Sequence, residues 1–163
     1  MAASVELFLV FLLLYFLVHA EHGSIPAATE SISHEFNLDK IDLGALGSLI
    51  FLGLTVGGSV AGYLYKTQNP KKIQVLSCLG IAVGTAAFPA AGYIKPIAYI
   101  ARFGLGLAQV FVLIYVPVWV DTFAAAEYRT MWLATVQVVG VLGTVGGYAL
   151  TATAELISTV RTT

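Results

Sequence analysis

The chain has 163 residues and a formal net charge of −1, and 58% of its residues are hydrophobic while only 10% are charged. A soluble domain usually carries about a quarter charged residues, so this composition, with a mean hydropathy of +0.87, indicates a protein of the lipid bilayer. The basic residues form no long patch, which argues against nucleic acid as a partner.

Five apolar runs divide the chain, and a bilayer core about 30 Å thick needs roughly 20 apolar residues in a helix to cross it. We therefore predict an all-α, polytopic membrane bundle over residues 1–154, followed by a polar tail over 155–163. The first run is the shortest, and a cleaved signal peptide over residues 1–20 is its alternative, although Met1 to Glu6 contains no Lys or Arg. The predicted spans are about 3–22, 43–65, 73–94, 96–120 and 130–154.

The segment between the first two spans is amphipathic. One apolar stripe at helical spacing predicts a helix over about 25–36 that lies at the membrane interface, and Asp39 or Asp42 is expected to cap the second span. The stripe consists of Ile25, Ala28, Ile32 and Phe36.

Glycines four residues apart recur in the second, third and fifth spans. Small residues at this spacing let helix backbones approach closely where lipid gives no hydrophobic drive for association, so these spans are predicted to pack on other helices. The pairs are Gly53 with Gly57, Gly58 with Gly62, Gly80 with Gly84, and Gly143 with Gly147.

Polar residues inside the spans lie on helical stripes. One such stripe is typical of ordinary hydrogen bonding between helices, but three indicate a shared polar interior. The stripes are Ser48, Thr55, Ser59 and Lys66 in the second span, Arg102, Gly106 and Gln109 in the fourth, and Gln137, Thr144, Tyr148 and Thr151 in the fifth.

Arg102 stands inside the fourth apolar run. A charged side chain at membrane depth costs roughly 2.5 to 3.5 kcal/mol on insertion scales, so it normally faces a bundle interior or a cavity. Arg102 therefore indicates a pathway through the membrane, and snorkelling of its side chain to the outer interface is the alternative.

The distribution of Lys and Arg predicts the orientation. Lys66, Lys71 and Lys72 share one loop without an acid, whereas the segment between the first two spans is rich in Glu and Asp. We expect this loop, the loop holding Arg129, and the N-terminus to lie in the cytoplasm.

Five features follow one another along the chain: Leu43-Gly44 to Tyr65, the short basic loop, Arg102-x-x-x-Gly106, Asp121 followed by Arg129, and the glycine-rich run Gly140 to Gly147. Together they resemble the N-terminal half of a major facilitator superfamily transporter, and most of all the spinster-like and related organic-solute carriers. The resemblance covers nearly the whole chain, although Lys66 stands where the family carries an Asp.

The resemblance implies transport of a small organic solute by alternating access, with no cofactor and no enzymatic activity. Arg102 favours a solute with a negative group, and Glu21 and His22 would serve proton or cation coupling, with hydration at the interface as the bland alternative. The candidates for the cavity are Ser48, Thr55, Arg102, Gln109, Gln137 and Thr144, and those for the gate are Lys66, Lys71, Lys72, Asp121 and Arg129.

Such transporters are built from two six-helix halves, and this chain carries five predicted spans. The expectation is a truncated or incomplete transporter that works with a missing C-terminal half, and the alternative is a non-transporting subunit or scaffold of a larger membrane complex. A metal site at His19 and His22 lacks a second group of ligands, and a membrane hydrolase lacks a Ser or Asp set against a His.

Overall fold

The computed structural model describes the backbone of residues 2–91 and 93–162 and the side chains of residues 5–90, 93–157 and 160. Within these residues the chain is helical and has no strand, which confirms the all-α bundle. The helices are α1 (Ala2–Ala27), α2 (Thr29–Phe36), α3 (Lys40–Thr67), α4 (Pro70–Ala91), α5 (Lys95–Phe123) and α6 (Arg129–Thr162).

Five of these helices are long and apolar enough to cross a bilayer, as judged over the described residues, so the chain is a multi-pass membrane protein. They run a few residues beyond the predicted spans at most ends. Part of the segment 155–163, expected to be a polar tail, instead continues α6 as far as Thr162, and residue 163 lies outside the described residues. The apolar windows are Val5–Ala27, Lys40–Thr67, Pro70–Ala90, Lys95–Phe123 and Arg129–Ile157.

The amphipathic segment forms the separate helix α2 (Thr29–Phe36), and the start of the predicted stripe, at Ile25, belongs to α1. Asn37 ends α2 in the left-handed region at φ 51°, where the Leu38 N–H donates back to the Ser33 carbonyl at 3.0 Å. This turn buries both Phe36 and Leu38.

Asp39 caps α3 through a reciprocal pair of hydrogen bonds. Its carboxylate accepts from the Asp42 N–H at 2.7 Å, and the Asp42 carboxylate accepts from the Asp39 N–H at 3.1 Å. Both acids predicted as caps therefore take part, because each satisfies a backbone N–H that has no partner within the helix.

The helices form two compact units. The terminal unit comprises Met1–Ile32 and Tyr115–Thr163, and the central unit comprises Ser33–Ile114. In the terminal unit α1 and α6 run parallel, since Phe8 stacks on Trp132 near the helix starts and Gly147 meets Ala20 further along.

In the central unit α3 and α5 also run parallel, while α4 and α5 run antiparallel. Ile50 meets Gly106 and Gly57 meets Val110, so residue numbers rise together along α3 and α5. Between α4 and α5 the residue numbers change in opposite directions. The Ser77 hydroxyl donates to the Ala108 carbonyl, whereas Phe88, later in α4, contacts Arg102, earlier in α5.

These directions agree with five consecutive crossings of one membrane. Successive spans must alternate in direction, so the first and fifth spans run parallel, the second and fourth run parallel, and the third opposes the fourth. Within each unit the observed pairs follow this rule.

Glycine brings the backbones of α3 and α5 into contact. A Cβ at Gly106 would overlap the Ile50 carbonyl oxygen, and a Cβ at Gly53 would overlap the Phe103 carbonyl oxygen. The pair Gly53 and Gly57 thus packs on α5, as glycine spacing predicts. Gly62, in contrast, has nothing within 4 Å of a built Cβ.

We expect Gly106→Ala to destabilise the protein by about 1 to 3 kcal/mol or more, because the added methyl group forces α3 and α5 apart. Gly62→Ala is the matched control, since its methyl group enters open space and should be neutral or stabilise by up to about 1 kcal/mol through helix propensity. Thermal unfolding of the purified chain in detergent measures both. Equal melting temperatures for the two variants would contradict this account of the α3–α5 contact.

Candidate functional site

The candidate site lies on the buried face of α5. Arg102 and Gln109 stand seven residues apart on this face and are 2% and 0% exposed. Their neighbours Ala98, Leu105 and Val112 on the same face are apolar and equally buried, at 3% exposure or less. The predicted shared face of Arg102, Gly106 and Gln109 is therefore the packed face of the helix.

The Arg102 guanidinium lies over the ring of Phe88 in α4, with its Cζ 4.6 Å from the ring centroid. A cation held against an aromatic face in a site without water is stabilised by about 2 kcal/mol, which offsets part of the cost of burying the charge. With 2% exposure the side chain is buried among its neighbours in this structure.

Two further aromatic rings continue from Phe88 to the surface. The ring of Phe36, at the end of α2, makes edge contacts with Phe88 at 6.3 Å and with Tyr93 at 5.2 Å between centroids. The Tyr93 hydroxyl donates to the Glu35 carboxylate at 3.0 Å, and this hydrogen bond with its negative charge raises the pKa of Tyr93. Phe36 therefore ties the amphipathic helix to the cation–aromatic pair.

A charged cluster joins the starts of α3 and α5. Lys95 pairs with the Asp42 carboxylate, which also accepts from the Tyr99 hydroxyl, and the side chain of Asp42 is only 15% exposed. Asp42 thus caps α3 and holds α5 with the same carboxylate. Sequence analysis recognised only its capping role, because no local pattern links residues 53 positions apart.

The polar stripe of α3 does not join this buried face. Ser48 and Thr55 are exposed, and their hydroxyls donate to carbonyls of their own helix, at Gly44 (2.8 Å) and Phe51 (2.9 Å). Ser48 and Thr55 therefore lie on the outer face of α3, whereas Arg102 lies on the packed face of α5. Packing on glycine turns the stripe outward.

The polar stripe of α6 is exposed in the same way. Gln137 and Thr144 lie on the outer surface of α6, and the Thr144 hydroxyl donates to the Gly140 carbonyl at 3.2 Å. The buried face of α6 carries Gly140, Gly143 and Gly147 against α1, with the ring of His19 beside Gly140. Small residues fill the α1–α6 contact, and the polar stripe flanks it.

The remaining candidates lie near the helix ends. Lys66, Lys71 and Lys72 are exposed around the turn between α3 and α4. Asp121 and Arg129 form an ion pair of 3.4 Å across the turn between α5 and α6. Because both side chains are largely exposed, such a pair contributes less than about 1 kcal/mol.

Glu21 and His22 are half-buried on α1. The His22 ring lies 5.9 Å from the ring of His19, whose Nδ1 is 2.9 Å from the Tyr15 carbonyl. Among the described residues no group of three or more His, Cys, Asp or Glu side chains is arranged to hold a metal ion.

No protein-family model matches this sequence, and no curated protein matches it.

The contact of Arg102 with Phe88 is testable by a double-mutant cycle. We expect Arg102→Met and Phe88→Leu to show a coupling of about 1 to 2 kcal/mol in the free energy of unfolding. The control cycle combines Arg102→Met with Phe111→Leu. Phe111 stands nine residues or about 13.5 Å along α5 from Arg102, so the effects of these two substitutions on the free energy of unfolding should be additive. Denaturant unfolding in detergent measures both cycles, and equal couplings would contradict a specific contact.

Proposed function

We propose that this chain forms one wall of a pathway that carries a small organic solute across a membrane by alternating access. Helices from a C-terminal half or a partner subunit form the other wall. The observation that carries the proposal is the burial of Arg102, 2% exposed, in a 29-residue apolar helix. Residues of this type at membrane depth are typical of substrate and ion pathways.

Arg102 and Gln109 supply the recognition chemistry. A guanidinium is a planar donor that matches carboxylate and phosphate groups, and an amide two helical turns away offers both a donor and an acceptor. This pairing favours a solute with one negative group and a polar group about 10 Å away. The Phe88 ring lies against the guanidinium, with its centroid 4.6 Å from Cζ.

The exposed stripe of α3 in the central unit and that of α6 in the terminal unit each support a polar surrounding, separate from the buried face that carries Arg102. Thr55, Gln137 and Thr144 are exposed on membrane-length helices, and lipid tails offer no hydrogen bonds to an amide such as Gln137. Water or a polar protein surface must therefore cover Gln137, whereas the hydroxyls of Thr55 and Thr144 already donate to carbonyls of their own helices. A solute pathway lined by further helices meets that need.

Coupling and gating follow from the resemblance to major facilitator transporters. In this proposal Glu21 and His22 exchange a proton or cation during the cycle. The weak ion pair of Asp121 and Arg129 suits a contact that must open and close, since an exposed pair is easily broken. The lysine-rich loop and the N-terminus lie in the cytoplasm, as the charge distribution predicts.

A second candidate function is that of a non-transporting subunit or scaffold. The same exposed polar stripes favour a scaffold, because the polar surface of a partner protein could cover them in place of water. The two functions differ in whether water reaches these stripes.

Cysteine accessibility separates the two functions. Cys78 is the only native cysteine, so a Cys78→Ala background allows single cysteines to be placed at Thr55 and Thr144. The matched controls are their neighbours Val56 and Val145, 44% and 60% exposed at the same depth. A water-soluble, membrane-impermeant thiol reagent should label Thr55→Cys and Thr144→Cys about tenfold faster than the controls, since the reactive thiolate forms only in water.

Equal, slow labelling at all four positions would overturn the pathway. Co-purification of a partner whose removal speeds labelling at Thr55→Cys and Thr144→Cys would then favour the scaffold.

A further inference from the structure

An open apolar groove of about 500 Å³ runs between α4 and α5 in the central unit, with Leu64 of α3 also in its lining, and it lies on the face of α5 opposite Arg102. Its α4 side carries Leu76, Leu79 and Val83, which are 72%, 58% and 66% exposed. Among its described lining residues the polar side chain is that of Ser77, whose hydroxyl donates to a backbone carbonyl. The groove therefore offers hydrocarbon contact and no hydrogen bonds.

The length of the groove matches one leaflet of a bilayer. Its α4 side runs from Ile73 to Val83, ten residues or about 15 Å of helix. This is half of a hydrocarbon core about 30 Å thick. A helix of a second copy would lie against the whole thickness, so the groove suits the acyl chain of a lipid better than another span.

A positive charge stands at the end of the groove nearest the turn. Lys72 directly precedes Ile73, and it shares one face of α4 with Leu76, Leu79 and Val83 at spacings of four, three and four residues. Lys71 is exposed as well, but it lies on another face of α4, in line with Val75. Lys72 is thus the lysine placed to contact a headgroup above the groove.

The surroundings of Lys72 favour an anion. The stretch from Lys66 to Lys72 contains no Asp or Glu, and α4 begins at Pro70, so the positive end of its dipole adds to the lysine charges. Hydrogen bonds hold this end of the groove in shape: the Tyr65 hydroxyl donates to the Phe111 carbonyl at 2.8 Å, and Gln74 Nε2 donates to the Tyr65 hydroxyl at 3.2 Å.

We propose that this groove binds one anionic phospholipid, with an acyl chain along α4 and α5 and the phosphate at Lys72. The apolar walls take the chain, the length of the groove fits one leaflet, and the lysine selects the negative headgroup. The inference does not depend on transport, because neither Arg102 nor the exposed stripes take part.

Native mass spectrometry of the full chain in detergent tests the proposal with dioleoyl phosphatidylglycerol and dioleoyl phosphatidylcholine as probes. We expect phosphatidylglycerol to bind about fivefold more tightly, the factor that corresponds to about 1 kcal/mol per basic residue near an anionic headgroup. Lys72→Gln should remove this preference. Lys71→Gln, with the same loss of charge on another face, should largely keep it.

The groove itself is tested by Gly104→Leu. A Cβ at Gly104 meets nothing within 4 Å, so the leucine side chain enters the groove without disturbing the fold and should reduce binding of both lipids. Gly62→Leu is the control, since its side chain also enters open space but lies outside the groove, and it should change the binding of neither lipid. Unfolding temperatures equal to that of the unaltered chain show that both variants are folded.

Four results would overturn the proposal. These are equal binding of the two lipids, equal effects of Lys71→Gln and Lys72→Gln, displacement of the lipid by glycerol phosphate without acyl chains, and a dimer that Gly104→Leu dissociates. Displacement by glycerol phosphate would mean that the lysines bind a soluble phosphate. A dimer that Gly104→Leu dissociates would mean that a second copy of the chain occupies the groove.

Discussion

The backbone contact between α3 and α5 is the constraint on which the central unit depends. Gly53 and Gly106 let the two helices approach until carbonyl oxygens of one lie against Cα atoms of the other, at a distance that a single methyl group would prevent. This contact fixes the rotation of α5, and the rotation decides which of its residues are buried. Arg102 and Gln109 are therefore placed inside by glycine packing elsewhere on the helix.

Burial of Arg102 carries a desolvation cost, and contact with an aromatic ring offsets part of it. The guanidinium rests on Phe88, and Phe36 of the amphipathic helix covers the same ring from outside. Position 37 takes a left-handed conformation to end that helix, which directs Phe36 and Leu38 inward. The short amphipathic segment thus contributes to the stability of a charged group that lies 66 residues further along the chain.

Sequence analysis identified the helical class, the membrane-length helices and the Asp39–Asp42 cap, because apolar run length and capping chemistry are local properties. Periodicity also grouped Arg102 with Gln109, but it gives only the angle between residues of one helix and not the direction in which their face points. Ser48 and Gln137, predicted to line a cavity, lie on exposed faces of α3 and α6. Helix α3 contains two adjacent glycine pairs, Gly53 with Gly57 and Gly58 with Gly62. Spacing alone does not distinguish them, whereas the structure shows that Gly53 and Gly57 contact α5.

The parallel pairing of α1 with α6 has a consequence for biogenesis. Helix α1 packs on α6, and its partner residues Gly143 and Gly147 are synthesised more than 100 residues after Phe16 and Ala20. The central unit has been synthesised completely once Ile114 is added, so its helices can pack on one another during insertion. Until α6 enters the bilayer, the half-buried polar side chains of α1 depend on lipid, on the insertion machinery or on a chaperone for cover.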